Sequence, residues 1–379
     1  ASLIPILRKP LSWSKNQVMS VISISLPHHS YDVVIQTNAI KEAGAYWPIN
    51  LSSDKGVIFS DGAVSEIYGE TLKAAISGKP GLSLIPFESG ESKKTIETVT
   101  SLYSHAIKLG LERKHPIIAL GGGVAGDLVG FVAATYLRGV PFVQVPTTLL
   151  AMVDASVGGK TGYNHPLGKN LIGAFKQPEL VLIDPAVLNT LPEREFKSGL
   201  AECIKHGLLG NWALFEWMES AMPEILDLKD HALEKLIADN VKVKADIVQQ
   251  DEKESGVRAL LNLGHTFAHA IEVTSGYGTY KHGEAVALGC VAACFLAAEG
   301  GMCSYEIYER AKSLFQKAGL PVSAQLASDA DLMAAMRRDK KVQDGALRLV
   351  LPTGYGQAQI YDNIQEARIL GAWKTIRKT

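Results

Sequence analysis

The chain has 379 residues, a formal net charge of -1 at pH 7 and a hydrophobic share of 47%. This length is sufficient for two domains with a sizeable core. The near-neutral charge argues against nucleic acid as the main partner, because a phosphate backbone requires a basic surface.

The N-terminal residues 1–19 are predicted to form a poorly ordered extension. The first 31 residues contain no Asp or Glu but carry Arg8, Lys9 and Lys15, a composition typical of transit peptides. A short disordered extension or a cloning remnant would have the same composition. We expect a cytoplasmic bacterial protein, with a plastid as the alternative location.

The next part of the chain alternates short apolar segments with helical patterns. Residues 21–26 and 31–36 alternate apolar and polar side chains around Pro-His-His-Ser, which predicts a β-hairpin. Further strands are predicted at residues 56–60, 82–86, 117–120, 142–145 and 180–184, with helices at 65–76 and 92–109. This alternation predicts an α/β fold with a mostly parallel sheet and helices on its faces.

From about residue 192 the pattern changes to long amphipathic helices, with strands expected only at 347–351 and 358–361. We place a domain boundary near residue 186, giving an α/β domain at 20–185 and a mainly helical domain at 186–379. The longest uncharged run, residues 285–298, is shorter than the roughly 20 residues that a membrane span needs. We therefore expect a soluble protein without membrane contacts.

The four cysteines, Cys203, Cys290, Cys294 and Cys303, include no CxxC pair and lie in apolar stretches. Buried free thiols in a reducing compartment are the expected interpretation, and zinc ligation is the alternative.

A phosphate-binding turn is predicted in residues 117–127, where a buried strand leads through three glycines into a helix. This arrangement directs backbone N–H groups at an anion. The spacing is not GxGxxG, so a simple tight connection is also compatible with the turn alone. Thr147 and Thr148 after the next strand, and Lys160 and Lys169 on glycine-rich backbone, strengthen the prediction of a phosphorylated ligand.

A metal site is indicated by His265 and His269, which project from one face if the segment is helical, with Asn262 one turn below. The HxxxH pair alone would fit a polar stripe equally well. His282 and Glu202 add a third imidazole and a carboxylate within reach of one divalent cation. The sequence contains no HExxH motif, which argues against a metalloprotease.

Eight ordered motifs resemble those of the 3-dehydroquinate synthase family, and the resemblance runs from about Tyr31 to Tyr361. They are GGGVAGD at 121–127, ATYLRG at 134–139, PTTLL at 146–150, GGKTG at 158–162, GKNLIG at 168–173, GLAECIK at 199–205, NLGHTF at 262–267 and HGEAV at 282–286. The resemblance implies an N-terminal NAD-binding α/β domain, a C-terminal mainly helical metal-binding domain, and a homodimer.

The resemblance also implies an activity in the shikimate pathway. Such enzymes convert a phosphorylated sugar acid, 3-deoxy-D-arabino-heptulosonate 7-phosphate, into 3-dehydroquinate and phosphate. The route is transient oxidation by NAD, β-elimination of phosphate, reduction and intramolecular aldol cyclisation. One divalent metal is used, Zn²⁺ or Co²⁺.

By the same resemblance, the metal ligands are Glu202, His265 and His282. His269 then matches a catalytic, phosphate-contacting histidine, which corrects the ligand assignment drawn from HxxxH alone. Three protein ligands leave open positions for substrate hydroxyls, as a catalytic site requires.

The remaining roles are also implied by the resemblance. The phosphate would contact Lys160, Asn170, Asn262, His269 and Lys341, with Arg138 reaching in from a partner subunit. The carboxylate would be held by Lys244 and Arg258, the substrate hydroxyls by Asp154 and Lys205, and Glu254 would accept a second proton. NAD would contact Asp61, Glu91, Lys94, Gly122, Gly123, Asp127, Thr147, Thr148, Lys160, Lys169 and Thr190.

Each assignment has a simpler alternative. Glu202 and Lys205 could form an ordinary i, i+3 surface pair, and Lys244 lies in a charged stretch typical of a solvated face. The choice between Lys340 and Lys341 stays open.

Three other functions are compatible with parts of the pattern. A related cyclase acting on sedoheptulose 7-phosphate would share the fold, NAD and metal, but such relatives differ at Lys244, Arg258, Asn262 and His269. A metal-dependent alcohol dehydrogenase would not need the dense cluster of cations and would release NADH. A non-catalytic binding module would have no use for the proton-transfer candidates Glu254 and His269.

Overall fold

The computed structural model describes residues 19–48, 51, 55–76, 81–276, 278–338, 342–343, 346–362 and 364–378. All but the last residue of the predicted extension 1–19 therefore lies outside the described residues. Lys340 and Lys341 lie outside them as well, so the role predicted for this pair stays a prediction.

The strands are β1 (Ser20–Ser25), β2 (Ser30–Ile35), β3 (Gly56–Asp61), β4 (Leu82–Phe87), β5 (Ile117–Gly121), β6 (Phe142–Pro146), β7 (Lys160–His165), β8 (Gly168–Phe175), β9 (Leu180–Ile183), β10 (Val342–Gln343), β11 (Ala346–Leu347), β12 (Leu349–Gly354) and β13 (Gln357–Tyr361).

The helices are α1 (Ala43–Tyr46), α2 (Gly62–Val64), α3 (Glu70–Ile76), α4 (Ile96–Lys108), α5 (Gly123–Thr135), α6 (Glu193–Gly210), α7 (Trp212–Leu226), α8 (Asp230–Gln250), α9 (His265–Thr274), α10 (His282–Glu299), α11 (Tyr305–Lys317), α12 (Asp329–Arg338) and α13 (Glu366–Ile376). Shorter π-helical and 3-10 segments cover Ser65–Gly69, Glu91–Lys93, Tyr136–Arg138, Ala151–Ala155, Pro185–Thr190 and Val257–Asn262.

Seven strands form one sheet in the order β1-β2-β9-β6-β5-β3-β4. The β1–β2 hairpin is antiparallel, and every other pair in this sheet is parallel. β5 and β6 are buried along their whole length, as expected for parallel strands covered by helices on both faces. The predicted α/β class and mostly parallel sheet are confirmed.

The separate β7–β8 hairpin was not among the predicted strands. Its glycine-rich, polar sequence lacks the period-two alternation that marks a strand and predicts basic loops instead. Gly162 pairs directly with Gly173, and a Cβ on Gly162 would lie 2.3 Å from the carbonyl oxygen of Ile172. The glycines therefore permit a close approach of two strands.

Helix α10 is apolar on all sides and forms the centre of the helical part. By length and composition it could cross a membrane, but 78% of it is buried inside the protein, where it packs against α6, α9, α11 and α13. A helix that is hydrophobic all round and surrounded by protein is a core helix. Three of the four free cysteines are buried, and Cys303 is partly buried.

Candidate functional site

Three potential metal ligands, Glu202, His265 and His282, lie where α6, α9 and α10 meet, and together they are called the metal group. Glu202, in the middle of α6, is fully buried. His265 and His282 are the first residues of α9 and α10. Their Nε2 atoms lie 3.7 Å and 3.5 Å from Oε1 of Glu202, and one ligand atom from each residue lies within 4.8 Å of the others.

Two glycines allow these helices to approach one another. Gly264 has a left-handed φ of 77°, and a Cβ there would lie 2.6 Å from the backbone nitrogen of Cys290. A Cβ on Gly283 would lie 1.9 Å from the carbonyl oxygen of Ser198. Any larger residue would push α9 or α10 away, so the glycines beside the two histidines help bring the ligands together.

The electrostatics of this group suit a cation. Burial raises the pKa of Glu202, but Lys205 and His282 outweigh it and hold the pKa at about 2. Burial lowers the pKa of His282, but Glu202 and Glu272 outweigh it and raise the pKa to about 10. A metal binding here would displace the imidazolium proton.

The donor set fits a divalent transition metal. Both carboxylate oxygens of Glu202 are buried without a hydrogen bond from any described residue. Oε2 forms an ion pair with Lys205, and Oε1 faces both imidazoles. Two histidine nitrogens and one carboxylate oxygen are ligands that zinc and its neighbours prefer.

Glu272 is a site residue that the sequence analysis missed. Its Oε1 lies 3.4 Å from Nδ1 of His282, and its side chain is 13% exposed. A carboxylate on the second ring nitrogen of a metal-binding histidine orients the ring. The spacing of His265, His269 and Glu272 on one helix face was the signal that could have identified it.

His269 lies beside the metal group but outside it. Its ring centroid is 5.7 Å from that of His265, so the predicted shared face of the two histidines is confirmed. The predicted position of Asn262 one helical turn below is wrong. Asn262 ends a 3-10 segment, because left-handed Gly264 separates that segment from α9.

Two lysines that could have been solvated surface groups are buried. Lys205 is 1% exposed and Lys244 is 5% exposed. Lys244 donates to Oδ1 of Asp154 at 2.5 Å, and burial lowers the pKa of Lys244. Burial also acts to lower the pKa of Lys205, but Glu202 and Asp154 outweigh it and raise the pKa. The surface alternatives for Glu202 and Lys244 are therefore wrong.

His206 was also missed by the sequence analysis. It is fully buried one turn after Glu202, and with Asp154 and Glu202 it forms a second group of convergent ligand atoms. Nδ1 lies 3.1 Å from Oδ1 of Asn240. Burial, followed by Lys205, lowers the pKa of His206 to about 4, which keeps this ring neutral.

The loop after α8 carries two predicted catalytic residues. Glu254, at a left-handed φ of 59°, contacts Lys160 of β7 and accepts a hydrogen bond of 3.1 Å from Asn262. Arg258 is 2% exposed and donates to the carbonyl oxygens of Gly158 and Glu252. The loop thus brings Lys160, Glu254 and Asn262 together.

The predicted nucleotide positions collect at the carboxyl ends of neighbouring strands. Asp61 ends β3, Gly122 caps α5 directly after β5, and Thr148 follows β6. A Cβ on Gly122 would lie 3.1 Å from Cγ2 of Thr148, so these two turns are adjacent. Such a strand-end crevice is where open parallel sheets bind nucleotides. The preceding Thr147 is buried, and Gly123 opens α5.

A second set of predicted positions links the β7–β8 hairpin to α5 and to the 3-10 segment Glu91–Lys93. Buried Lys94 donates to Oδ2 of Asp127 at 2.5 Å and to Oδ1 of Asn170 at 2.6 Å. Lys169 lies 3.7 Å from Glu91. Asn170, expected at the substrate phosphate, therefore contacts a residue expected at NAD.

Two predicted positions lie apart from these clusters. The hydroxyl of Thr190 lies 2.8 Å from that of Tyr68. Arg138 is exposed on the turn Tyr136–Arg138, where it and Leu137 both have positive φ. Among the described residues, the structure gives its side chain no hydrogen bond or ion pair to another predicted site residue.

Comparison with protein families gives two adjoining matches. The family model for the 3-dehydroquinate synthase N-terminal part matches residues 84–198, and that for the C-terminal part matches residues 199–342. A 3-dehydroquinate synthase from Desulforamulus reducens is 46% identical over 357 residues, covering 93% of this chain and 99% of the relative. One from Crocosphaera subtropica is 46% identical, covering 91% and 96%.

Solved structures with the same fold include sugar phosphate cyclases and dehydrogenases. ValA, a 2-epi-5-epi-valiolone synthase from Streptomyces hygroscopicus with NAD⁺ and Zn²⁺ bound, is 30% identical, with a TM-score of 0.84 and coverage of 93% of this chain and 98% of its own. A 2-deoxy-scyllo-inosose synthase complexed with carbaglucose-6-phosphate, NAD⁺ and Co²⁺ is 23% identical, with a TM-score of 0.80 and coverage of 94% and 100%. At that identity the likeness shows the fold alone.

Proposed function

The chain belongs to the 3-dehydroquinate synthase family, and from this we infer that it converts 3-deoxy-D-arabino-heptulosonate 7-phosphate into 3-dehydroquinate and phosphate. The activity belongs to the shikimate pathway and to aromatic amino acid biosynthesis. The observation that carries the inference is the buried Glu202–His265–His282 group beside two buried lysines, in a chain 46% identical to enzymes of that name.

NAD and one divalent metal are the cofactors. NAD supplies a hydride acceptor that is restored in each turnover, and the metal supplies a Lewis acid. We propose Zn²⁺ as the metal, with Co²⁺ as the alternative, and Glu202, His265 and His282 as its protein ligands. Glu272 would orient His282 in this arrangement.

The buried lysines are proposed to bind the substrate next to the metal group. Asp154 and Lys205 would contact substrate hydroxyls, and Lys244 and Arg258 would hold the carboxylate. Because Lys244 is paired with Asp154, and Arg258 with backbone carbonyls, both cations are held in place before the substrate arrives. Preorganised charge of this kind costs little reorganisation when the anion binds.

The loop residues are proposed to handle the phosphate and the protons. Lys160, Asn170, Asn262, His269 and Lys341 would surround the phosphate, and Glu254 would accept a proton. Glu254 contacts Lys160, so the carboxylate that would take the proton lies beside an ammonium that would hold the leaving group. This arrangement suits β-elimination, because proton removal and phosphate departure occur on adjacent carbons.

The NAD contacts, the assembly and the location are part of the same proposal. NAD would lie along Asp61, Glu91, Lys94, Gly122, Gly123, Asp127, Thr147, Thr148, Lys160, Lys169 and Thr190. The region 20–185 would be the NAD-binding domain and 186–379 the metal-binding domain. We also propose a cytoplasmic homodimer in which Arg138 of the partner subunit reaches the phosphate.

The test is phosphate release by metal-loaded protein with catalytic NAD, in parallel reactions with 3-deoxy-D-arabino-heptulosonate 7-phosphate and sedoheptulose 7-phosphate. We expect phosphate only from the first substrate and no accumulating NADH. Release only from the second would identify a sister cyclase, and NADH without phosphate would identify a dehydrogenase.

A variant pair ties the activity to the site. His265→Ala is expected to abolish turnover and to lose bound metal. His231→Ala is the matched control, because its exposed imidazole pairs with Glu224 away from the metal group. Retention of both metal and activity by His265→Ala would contradict the ligand assignment.

A further inference from the structure

We propose that Arg194 and Glu284 form a clamp that positions the metal ligand His282, an inference that rests on the metal site proposed above. Arg194 lies in the first turn of α6 and Glu284 in the first turn of α10. The guanidinium donates from Nε to Oε1 and from Nη2 to Oε2, each at 2.7 Å. Two parallel N–H···O bonds fix the orientation as well as the distance of the two helices.

The clamp also holds the residues that lead into α10. Nη2 of Arg194 donates to the carbonyl oxygen of Thr279 at 3.0 Å. Oε2 of Glu284 accepts from the backbone nitrogen of Lys281 at 2.8 Å, and the ammonium of Lys281 lies 2.5 Å from Glu195. The segment before His282 and the Glu284 side chain after it are therefore tied to the first turn of α6.

His282 depends on such ties because it is the first residue of its helix. A first residue has helical hydrogen bonding on one side only. One turn further along α6, the hydroxyl of Ser198 accepts from the backbone nitrogen of Gly283 at 3.0 Å. α6 also carries Glu202, so these contacts fix the distance between Glu202 and His282 through a single rigid helix.

The alternative is that the pair is an ordinary ion pair without consequence for the metal group. The Arg194 side chain is 53% exposed, and exposed ion pairs contribute little to stability. The two possibilities differ in what they affect. A clamp changes metal affinity, whereas a surface pair changes at most the overall stability.

The experiment measures Co²⁺ affinity of the full-length protein after removal of metal with a chelator. Arg194→Met, Glu284→Gln and the double variant are compared with wild type. Arg310→Met is the control, because Arg310 makes the same two-pronged contact with Glu219, at 3.0 Å and 2.6 Å, between α11 and α7. Glu284→Gln keeps an oxygen for the Lys281 nitrogen, so it is the milder variant if Arg194→Met folds poorly.

The clamp predicts that each single variant weakens Co²⁺ binding by about 10-fold, the lower end of the range for residues that orient metal ligands. The double variant should bind Co²⁺ no more weakly than the single variant with the lower affinity, since both substitutions remove the same Arg194–Glu284 interaction. Arg310→Met should bind Co²⁺ like wild type at a comparable change in Tm.

Two results would overturn the proposal. The variant His282→Ala then distinguishes failure of the clamp from failure of the proposed metal site. Wild-type affinity in both Arg194→Met and Glu284→Gln would reduce the pair to a surface contact. An equal loss in Arg310→Met would mean that affinity follows overall stability. His282→Ala should lose Co²⁺ binding whatever the clamp does, and if it did not, the proposed metal site itself would be wrong.

Discussion

At the scale of single residues, the site contains two ion pairs: Glu202 and Lys205 are both buried, and Lys244 is buried against Asp154, whose side chain is 30% exposed. Glu202 with Lys205, and Asp154 with Lys244, place two carboxylates and two ammonium groups beside the metal group. A buried pair is costly to break, because removing one partner leaves the other charge uncompensated. Because burying charges also costs free energy, a purely structural role explains these groups poorly. Binding of an anionic substrate, as proposed above, explains them better.

Glu272 provides a test of the metal group that leaves its three proposed ligands unchanged. In Glu272→Gln the amide is a weaker acceptor for the His282 ring, so we expect Zn²⁺ affinity to fall by about 10-fold. The measurement is competition with a colorimetric chelator. Glu299→Gln, at the far end of α10, is the control, and equal affinities in the two variants would contradict the orienting role.

Arg258 combines a proposed substrate contact with a structural one. Arg258→Ala removes the bidentate partner proposed for the substrate carboxylate, so KM should rise. It also leaves the carbonyl oxygens of Gly158 and Glu252 without this donor, at an expected cost of about 1–3 kcal/mol in the free energy of unfolding. Steady-state kinetics and urea unfolding measure the two effects. A loss confined to kcat would contradict the carboxylate role.

At the scale of elements, one carboxylate organises the loop that carries the proton-transfer candidate. Asp251 follows α8, and its two oxygens accept from the backbone nitrogens of Ser255, Gly256 and Arg258 at 2.9, 2.7 and 3.1 Å. The loop therefore holds Glu254 in its left-handed conformation, which non-glycine residues rarely adopt without support.

The same carboxylate predicts a pH dependence of stability. Burial raises the pKa of Asp251, but the three N–H donors outweigh it and lower the pKa from 3.8 to about 2. Because the folded pKa is the lower one, this stabilisation is complete above the unfolded pKa and is lost as the pH falls through the folded pKa.

Asp251→Asn should therefore lower the free energy of unfolding at neutral pH by about 1–3 kcal/mol, because the amide cannot accept all three bonds. The difference in free energy of unfolding between Asp251→Asn and wild type should narrow as the pH falls from 3.8 to about 2. Urea unfolding across this pH range measures the difference, and Asp246→Asn, at an exposed position of α8, is the control. A gap that does not change with pH would refute the assignment.

At the scale of the whole molecule, the sheet and the C-terminal helices share the larger of two apolar clusters. The larger cluster of buried side chains runs from Ile24 on β1 to Ile376 on α13, and a smaller one fills the space between the sheet and helices α4 and α5. The boundary that we propose near residue 186 therefore does not separate two independent cores.

We expect this continuous core to unfold in a single cooperative transition. Differential scanning calorimetry should give matching calorimetric and van't Hoff enthalpies. Two resolved calorimetric transitions would show that the two regions are independent.

Removal of metal with a chelator should abolish turnover and leave the far-ultraviolet circular dichroism unchanged, because the metal group lies on preformed helices.

The sequence by itself determined the strands of the main sheet, the change to long helices near residue 192, and the glycine turn, but not the β7–β8 hairpin. Strands such as β5 and β6, the β1–β2 hairpin and the start of α6 follow from local periodicity and from backbone preferences, which neighbouring residues encode. The HxxxH pair likewise fixed the relative direction of His265 and His269, because both lie on one helix.

The tertiary structure alone decided which of these groups meet and which are buried. It placed Glu272 behind His282, His206 beside Asp154, and Lys244 inside the protein. No local pattern carries this information for His206 and Lys244, and the spacing of Glu272 indicates only that it shares a helix face with His265 and His269. The groups that meet come from separate helices, whose approach depends on Gly264, Gly283 and the packing around α10. A side chain's exposure and pKa are set by neighbours distant in the chain, and only the folded molecule brings those neighbours together.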